Sequence, residues 1–122
     1  ADLNTPSESP SGNFHGMALR ALLGEGAAEG LAPRLALQPS ALVFAGLREL
    51  DPPEAEAMRR LGLGALPPEA LREPGFEEVL QRMLRSTRCT RLHVHLDLDV
   101  LEPSEFPHVS VPSPGGLTVR EL

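Results

Sequence analysis

At 122 residues and 13.1 kDa, the chain has the length of one small domain. Its formal net charge of −6 and pI near 5.1 argue against a nucleic-acid partner, because a basic patch is the usual footprint of such binding. No apolar run approaches the roughly 18 residues that a membrane-spanning helix needs. The single cysteine, Cys89, fits a reducing compartment. We therefore expect a cytoplasmic protein with neither a nucleic-acid nor a membrane partner.

Residues 4–16 are polar and rich in turn-forming residue types, which predicts a surface loop closed by its own side chains. An apolar helical run follows from Met17 to Leu23, and the glycine-rich residues 24–38 predict its end and another loop. His15 stands directly before that helix. A histidine in this place could carry protons or could serve only the structure.

Residues 40–47 form a continuous apolar run, which is typical of a buried parallel strand. Asp51 and Glu54 follow it at the spacing of a capping box, with prolines in the first turn of the predicted helix. Capping alone would explain both carboxylates. The same position also places them at the sheet edge where α/β proteins bind ligands.

Residues 62–66 predict a short strand, and an amphipathic helix is predicted from Pro74. Its apolar stripe indicates structure only and consists of Phe76, Val79, Leu80, Met83 and Leu84. A proline-rich loop then reaches Pro114. Thr118 and Glu121 have the spacing of a capping box, which predicts that a new helix begins there.

Residues 92–100 alternate apolar and polar side chains, which predicts a β-strand. Asp97 and Asp99 would then point to the same side, roughly 6–7 Å apart. That spacing suits two carboxylates that grip one metal ion, or a pair of ions about 3.5–4 Å apart. The alternative is that both aspartates only cap the strand end or accept hydrogen bonds from loop amides. The order of strands and helices along the whole chain predicts an α/β fold with a mainly parallel sheet.

Five blocks of this sequence, in order and spacing, resemble the arginase (ureohydrolase) family. The blocks are residues 2–6, 9–16, 46–48, 97–99 and 115–121. The resemblance implies a three-layer α/β/α fold that carries two Mn²⁺ ions and hydrolyses a guanidinium group to urea and an amine. Carboxylate-rich sites suit Mn²⁺. It also implies a homo-oligomer, trimeric or hexameric, with residues 115–121 near the subunit interface.

Carried over position by position, the resemblance assigns a role to each of several residues. Asp2, Asp97 and Asp99 match metal ligands, and His15 matches a histidine that relays protons to the leaving amine. Asn4, Ser11 and Asn13 match side chains that hold the substrate α-carboxylate, while Asp51 and Glu54 match those that face its α-ammonium. Neutral donors for a carboxylate and acidic groups for an ammonium are chemically consistent.

The family's metal site uses six ligands, of which this chain holds only the three aspartates, so we expect residues 1–122 to be a partial arginase-like domain that is inactive alone. Three positions depart from the family pattern, namely His95, Glu102 and Val111. The favoured hypothesis is an arginase that acts on L-arginine. The alternatives are a sister enzyme (agmatinase, formimidoylglutamase or guanidino-acid hydrolase) and a non-catalytic fragment.

Overall fold

The computed structural model describes residues 1–26, 33–72, 75–87 and 90–122, without the side chains of residues 86 and 87. Part of the loop predicted over residues 24–38, as well as Pro74 and Cys89, lies outside these residues. The chain forms two compact units. The first comprises Ala1–Val43 and Glu49–Gly64, and the second comprises Phe44–Arg48 and Ala65–Leu122.

The first unit contains two α-helices. A 3-10 turn over Phe14–Met17 leads into helix α1 (Ala18–Leu22), which confirms the helix predicted in this region. Helix α2 (Pro52–Leu61) begins at the Asp51–Glu54 capping box, as predicted. Both signals are local in sequence, since a cap needs only residues three apart. The buried apolar side chains of this unit include Leu3, Met17, Ala21, Leu23, Ala57, Met58 and Leu63.

Strands β1 (Val43–Ala45) and β2 (Gly64–Leu66) pair in a two-stranded parallel sheet, extended by a bond from the Gly46 amide to the Leu66 carbonyl. The strand predicted over residues 40–47 is therefore confirmed in part, since Pro39–Ala41 form a 3-10 turn instead. Its predicted burial is wrong, because Val43 is 38% exposed. Within the described residues β1 has a single neighbouring strand, which leaves much of it uncovered.

Two helices cover the core of the second unit. Helix α4 (Phe76–Thr87) is the amphipathic helix that the sequence predicts, and the short helix α3 (Pro68–Arg72) was not expected. Leu71, Val79 and Leu117 form the buried cluster, with Leu66, Phe76, Met83 and Val100 packed against it. None of the described helices has the length and apolar character needed to cross a membrane.

The strand predicted over residues 92–100 is wrong. Residues 91–97 belong to no strand, and Leu98–Val100 form a 3-10 turn. The apolar members of the alternation are exposed, Val94 to 68%. Among the described residues no strand pairs with this segment, and a strand is defined by the hydrogen bonds of its neighbours. The nearest parallel contact is a single bridge between Leu101 and Leu117.

The helix predicted from Thr118 is also wrong within the described residues, where the chain makes only a turn. The capping box that suggested the helix does form. The Glu121 carboxylate accepts from the Thr118 amide at 2.8 Å, and the Glu121 amide donates to the Thr118 hydroxyl at 3.1 Å. The hydrogen bonds of a helix start are thus present, although residues 119–121 are a turn.

Candidate functional site

The predicted site residues divide between the two units. Asp97 and Asp99 belong to the second unit, and all the others belong to the first. Those of the first unit come from three places in the fold: the segment before the loop, the loop with the 3-10 turn that ends it, and the start of α2.

The loop over residues 4–16 is closed at its base and braced by its own side chains. The Asn4 amide donates to the Gly16 carbonyl at 3.1 Å, which ties the two ends together. Inside the loop, the Ser11 hydroxyl accepts from the Asn13 amide at 3.2 Å. Ser11 and Asn13 are both exposed. The tip of the loop therefore presents small hydrogen-bonding side chains to solvent on a fixed base.

Asn4 joins this loop to the start of α2. Its side-chain amide donates to Oδ2 of Asp51 at 3.0 Å, across a sequence separation of 47 residues. Asn4 is only 4% exposed, and its Oδ1 is buried without a hydrogen-bond partner among the described residues. Asn4, which is predicted to hold the substrate α-carboxylate, is thus hydrogen-bonded to Asp51, which is predicted to face the substrate α-ammonium.

Glu54 lies behind Asp51 and is almost fully buried. Its Oε1 accepts from the Leu3 amide at 3.0 Å, and its Oε2 accepts from the Asp51 amide at 3.1 Å. One carboxylate therefore connects the segment before the loop to the cap of α2. These bonds give Glu54 a positioning part in the arrangement of Asn4 and Asp51.

Arg20 is a buried residue of the first unit that the sequence interpretation did not single out. Its side chain is buried, donates from Nη1 to the Leu3 carbonyl at 2.9 Å and pairs through Nε with Glu25 at 2.9 Å. Glu25 also binds Arg60, and that bond above all lowers the pKa of the Glu25 carboxyl. An arginine within the apolar run from Met17 was the available signal, because a buried guanidinium needs fixed acceptors.

Asp2 is held from the same helix. Its carbonyl accepts from the Arg20 amide at 3.1 Å, and its backbone has a φ of +60°. Aspartate is one of the few residues other than glycine that adopt this left-handed conformation. The backbone at this predicted metal ligand is thus firmly placed.

His15 lies in the 3-10 turn and its side chain is exposed, next to the start of α1 as predicted. A cleft of about 240 Å³ in the first unit is lined by Pro6, Gly12, Phe14, Met17 and Gly26 and not by His15. The lining is mostly apolar and contains none of the predicted ligand-binding side chains. We therefore do not equate this cleft with the polar site at Asn4 and Asp51.

In the second unit the two aspartates are fixed by backbone amides. Oδ1 of Asp97 accepts from the Asp99 amide at 2.9 Å and so begins the 3-10 turn. The Asp99 carboxylate accepts from Ser110 and Val111, at 2.8 Å and 3.2 Å. The interpretation of these aspartates as hydrogen-bond acceptors is therefore correct. It does not oppose metal binding, since each carboxylate oxygen has a second lone pair.

Arg48 is a residue that the sequence interpretation missed as a functional candidate. It donates from Nη1 to the Val100 carbonyl at 2.9 Å and from Nη2 to the Asp99 carbonyl at 2.6 Å. Its Nε is buried and has no acceptor among the described residues. The signal was its place at the end of β1, in the block formed by residues 46–48.

The donor chemistry of Asp97 and Asp99 fits a hard divalent cation, because both offer oxygen ligands. The set is incomplete, however. Nowhere in the described part of the chain do three or more histidine, cysteine, aspartate or glutamate side chains form a group that could hold a metal ion. The described residues thus contain no complete metal site.

The chain matches the model of the Arginase family over residues 1–122. Two curated relatives, both called arginase, come from Staphylococcus aureus (strain MRSA252), with 38% identity, and Bacillus subtilis (strain 168), with 36%. Each alignment covers 98% of this chain, but only 41% and 42% of the respective relative. The chain thus spans about two fifths of the length of these relatives.

Solved structures agree with the sequence comparison. Arginase from Bacillus subtilis superposes with a TM-score of 0.86 at 35% identity, covering 99% of this chain and 44% of that one. An Entamoeba histolytica arginase in complex with L-ornithine also gives 0.86, at 26% identity, with 98% and 42% covered. These likenesses confirm the predicted three-layer α/β/α fold, of which this chain contains a part. The chain belongs to the arginase family.

Proposed function

We propose that the protein carrying this chain is an arginase that hydrolyses L-arginine to L-ornithine and urea. The contact between Asn4 and Asp51 is the observation that supports this most directly. An α-amino acid carries its carboxylate and ammonium on one carbon, so its binding site needs an amide donor and a carboxylate side by side. Agmatine lacks the α-carboxylate, so the Asn4 side of this pair would have no partner on that substrate.

We further propose that the protein uses two Mn²⁺ ions, to which this chain contributes Asp2, Asp97 and Asp99. The oxygen donors of Asp97 and Asp99 support this, as do the hydrogen bonds that the backbones of Asp2 and Asp99 make. Manganese, when bound, would supply the Lewis-acid activation of water that hydrolysis of a guanidinium group requires. His15, exposed next to α1, is proposed to pass a proton to the leaving amine. A trimeric or hexameric assembly and a cytoplasmic location belong to the same proposal.

The test is urea release by the complete protein with Mn²⁺, from L-arginine and from agmatine, formimidoylglutamate and guanidino acids. We expect L-arginine to be the preferred substrate and Asp97→Ala to abolish its hydrolysis. A protein active only on another guanidino compound would be a sister ureohydrolase. A protein inactive on all of them would be a non-catalytic member of the family.

Asp51 allows a sharper test of the substrate. Asp51→Asn should lower kcat/KM for L-arginine by about tenfold or more, because a hydrogen bond to a charged group contributes about 1.5–3 kcal/mol. For 5-guanidinopentanoate, which lacks the α-amino group, the same variant should change kcat/KM little. An equal loss on both substrates would contradict the placement of the ammonium at Asp51.

We also propose that the 122-residue chain is inactive alone, since its described residues form no complete metal site. Calorimetric titration of Mn²⁺ into this chain should give no binding at two micromolar sites. Two such sites would contradict the proposal that the ligand set is incomplete.

A further inference from the structure

Arg48 grips the backbone of the aspartate segment at two successive carbonyls, 51 and 52 residues further along the chain. The donors Nη1 and Nη2 belong to one rigid plane, so the two bonds fix both the position and the direction of the peptide groups they hold. A single donor would allow the segment to turn about the one bond. Two hydrogen bonds from one guanidinium group prevent that rotation.

The remaining polar groups of Asp99 are held as well. Its amide donates to Asp97, and its two carboxylate oxygens accept from Ser110 and Val111. With its carbonyl bound by Arg48, each backbone and side-chain polar group of Asp99 has a partner in the second unit. The carboxylate can therefore point in one direction only while these bonds persist.

Gly46 brings Arg48 within reach of the segment. A Cβ atom at Gly46 would lie 2.4 Å from Cγ2 of Val100, and the residue has a φ of +80°. The end of β1 thus approaches Val100 as closely as a residue without a side chain allows. Arg48, two residues later, then meets the carbonyls directly.

We propose that Arg48 is a positioning residue. Through the carbonyls of Asp99 and Val100 it sets the direction in which the carboxylates of Asp97 and Asp99 project, without touching the substrate. The catalytic consequence rests on the proposed function, whereas the structural consequence does not. The two are therefore tested by separate measurements.

The first measurement is hydrogen–deuterium exchange in the complete protein, which needs no activity. Arg48→Met should speed exchange at the Ser110 and Val111 amides by about tenfold, because their acceptor Asp99 becomes free to turn. Helix α1 serves as the internal reference, since it contains neither substitution. The matched control is Arg59→Met, at a site where the side chain is 69% exposed. Unchanged exchange at residues 110 and 111 in Arg48→Met would overturn the proposal whatever the enzyme does.

The second measurement is steady-state kinetics per folded molecule, with Mn²⁺ binding measured by calorimetry alongside. We expect Arg48→Met to lower kcat by about tenfold or more and to weaken Mn²⁺ binding, with KM for arginine changed by less than about threefold. Arg48→Lys, which can hold one carbonyl, should restore part of kcat. Arg59→Met should match the wild type.

A role of Arg48 in stability alone would lower the melting temperature and leave kcat per folded molecule and Mn²⁺ binding unchanged, which would also overturn the proposal. Absence of urea release from the wild-type protein would instead contradict the proposed function. In that case the exchange measurement still decides the role of Arg48.

Discussion

Glu54 is a residue of the candidate site that positions its neighbours through hydrogen bonds to their backbone amides. Both of its carboxylate oxygens accept backbone amides, one from the segment before the loop and one from the cap of α2. The resemblance places Glu54 opposite the substrate ammonium. The geometry shows that it also holds Asp51, which lies between it and Asn4 along the chain of contacts.

Glu54→Gln should destabilise the complete protein by about 1–3 kcal/mol, because a glutamine offers one acceptor and turns an amide N–H₂ toward a buried N–H donor. The measurement is the free energy of unfolding in urea. The matched control is Glu56→Gln, on the same helix with a side chain that is 65% exposed. That control should stay within about 0.5 kcal/mol of the wild type. An equal change in the free energy of unfolding in both variants would show that the buried hydrogen bonds of Glu54 do not stabilise the fold.

Gly46 gives a second prediction for a single residue. Gly46→Ala should destabilise by about 1–3 kcal/mol, since the new Cβ meets Val100 and the left-handed backbone adds strain. Placing the same change in a Val100→Ala background should remove the steric part. A double-mutant cycle in urea unfolding therefore separates collision from backbone strain. Additive effects would mean that the backbone relieves the collision by moving.

Among elements, the loop after the aspartate segment is organised by Glu102. Its Oε2 accepts from the amides of Gly115 and Gly116 at 2.8 Å and 3.0 Å, and its Oε1 accepts from the Ser104 hydroxyl at 3.3 Å. The resemblance marks Glu102 as a departure from an aspartate. Here the carboxylate connects two turns of the second unit.

This contact predicts a pH dependence. Desolvation by itself raises the pKa of Glu102, but the N–H groups of Gly115, Ser104 and Gly116 together outweigh it, so the pKa lies below its ordinary value of 4.5. The carboxylate therefore stabilises the fold above about pH 4.5, and that stabilisation is lost as the pH falls through the lower pKa of the folded state.

Accordingly, Glu102→Gln should be less stable than the wild type at pH 7, and the difference should shrink as the pH is lowered below about 4.5. Urea unfolding across a pH series measures it. Glu69→Gln, which removes an exposed carboxylate that accepts no backbone amide in the described contacts, is the control. A difference that grew toward acid pH would contradict the direction of the shift.

The elements also show what the sequence could reveal. The start of α2 was predictable, because Asp51 and Glu54 interact across one helical turn. The amphipathic stripe of α4 was predictable for the same reason. Residues 92–97 were assigned wrongly, because alternation reports which residues suit a sheet and says nothing of whether a neighbouring strand is there. The contacts of Arg20 and Arg48 were beyond reach, since they depend on partners 17 and about 51 residues away.

The same limit holds for the candidate site. The family blocks named the residues of the candidate site, and the structure brings two of them, Asn4 and Asp51, into hydrogen-bonding contact. The capping box predicted the bond from the Asp51 amide to Glu54, but not the bond from the Leu3 amide, which comes from 51 residues away. Almost any residue can supply a backbone amide, so no side-chain pattern marks Leu3 as the partner of Glu54.

At the scale of the whole molecule, the uncovered apolar side chains of residues 92–98 stand out. Leu92, Val94, Leu96 and Leu98 are each between 46% and 68% exposed. A segment with such side chains that pairs with no strand in the described part of the chain offers a template for association with another chain.

We therefore expect the 122-residue chain to self-associate at micromolar concentrations, and Val94→Lys to reduce this, because a charge on an exposed edge opposes pairing. Sedimentation velocity measures the distribution of species. Val119→Lys is the matched control, since Val119 is 59% exposed but lies outside this segment. If both variants dissociate the chain equally, the association is a matter of net charge and the assignment to residues 92–98 fails.

The parallel bridge between Leu101 and Leu117 brings Gly116 so close to the Leu101 backbone that position 116 has no room for a side chain. A Cβ at Gly116 would stand 2.5 Å from the carbonyl carbon and oxygen of Leu101, both of them main-chain atoms that no rotamer change can move aside. Every missense change of a glycine codon introduces a Cβ. We therefore expect substitutions at position 116 to be excluded for as long as this backbone contact exists.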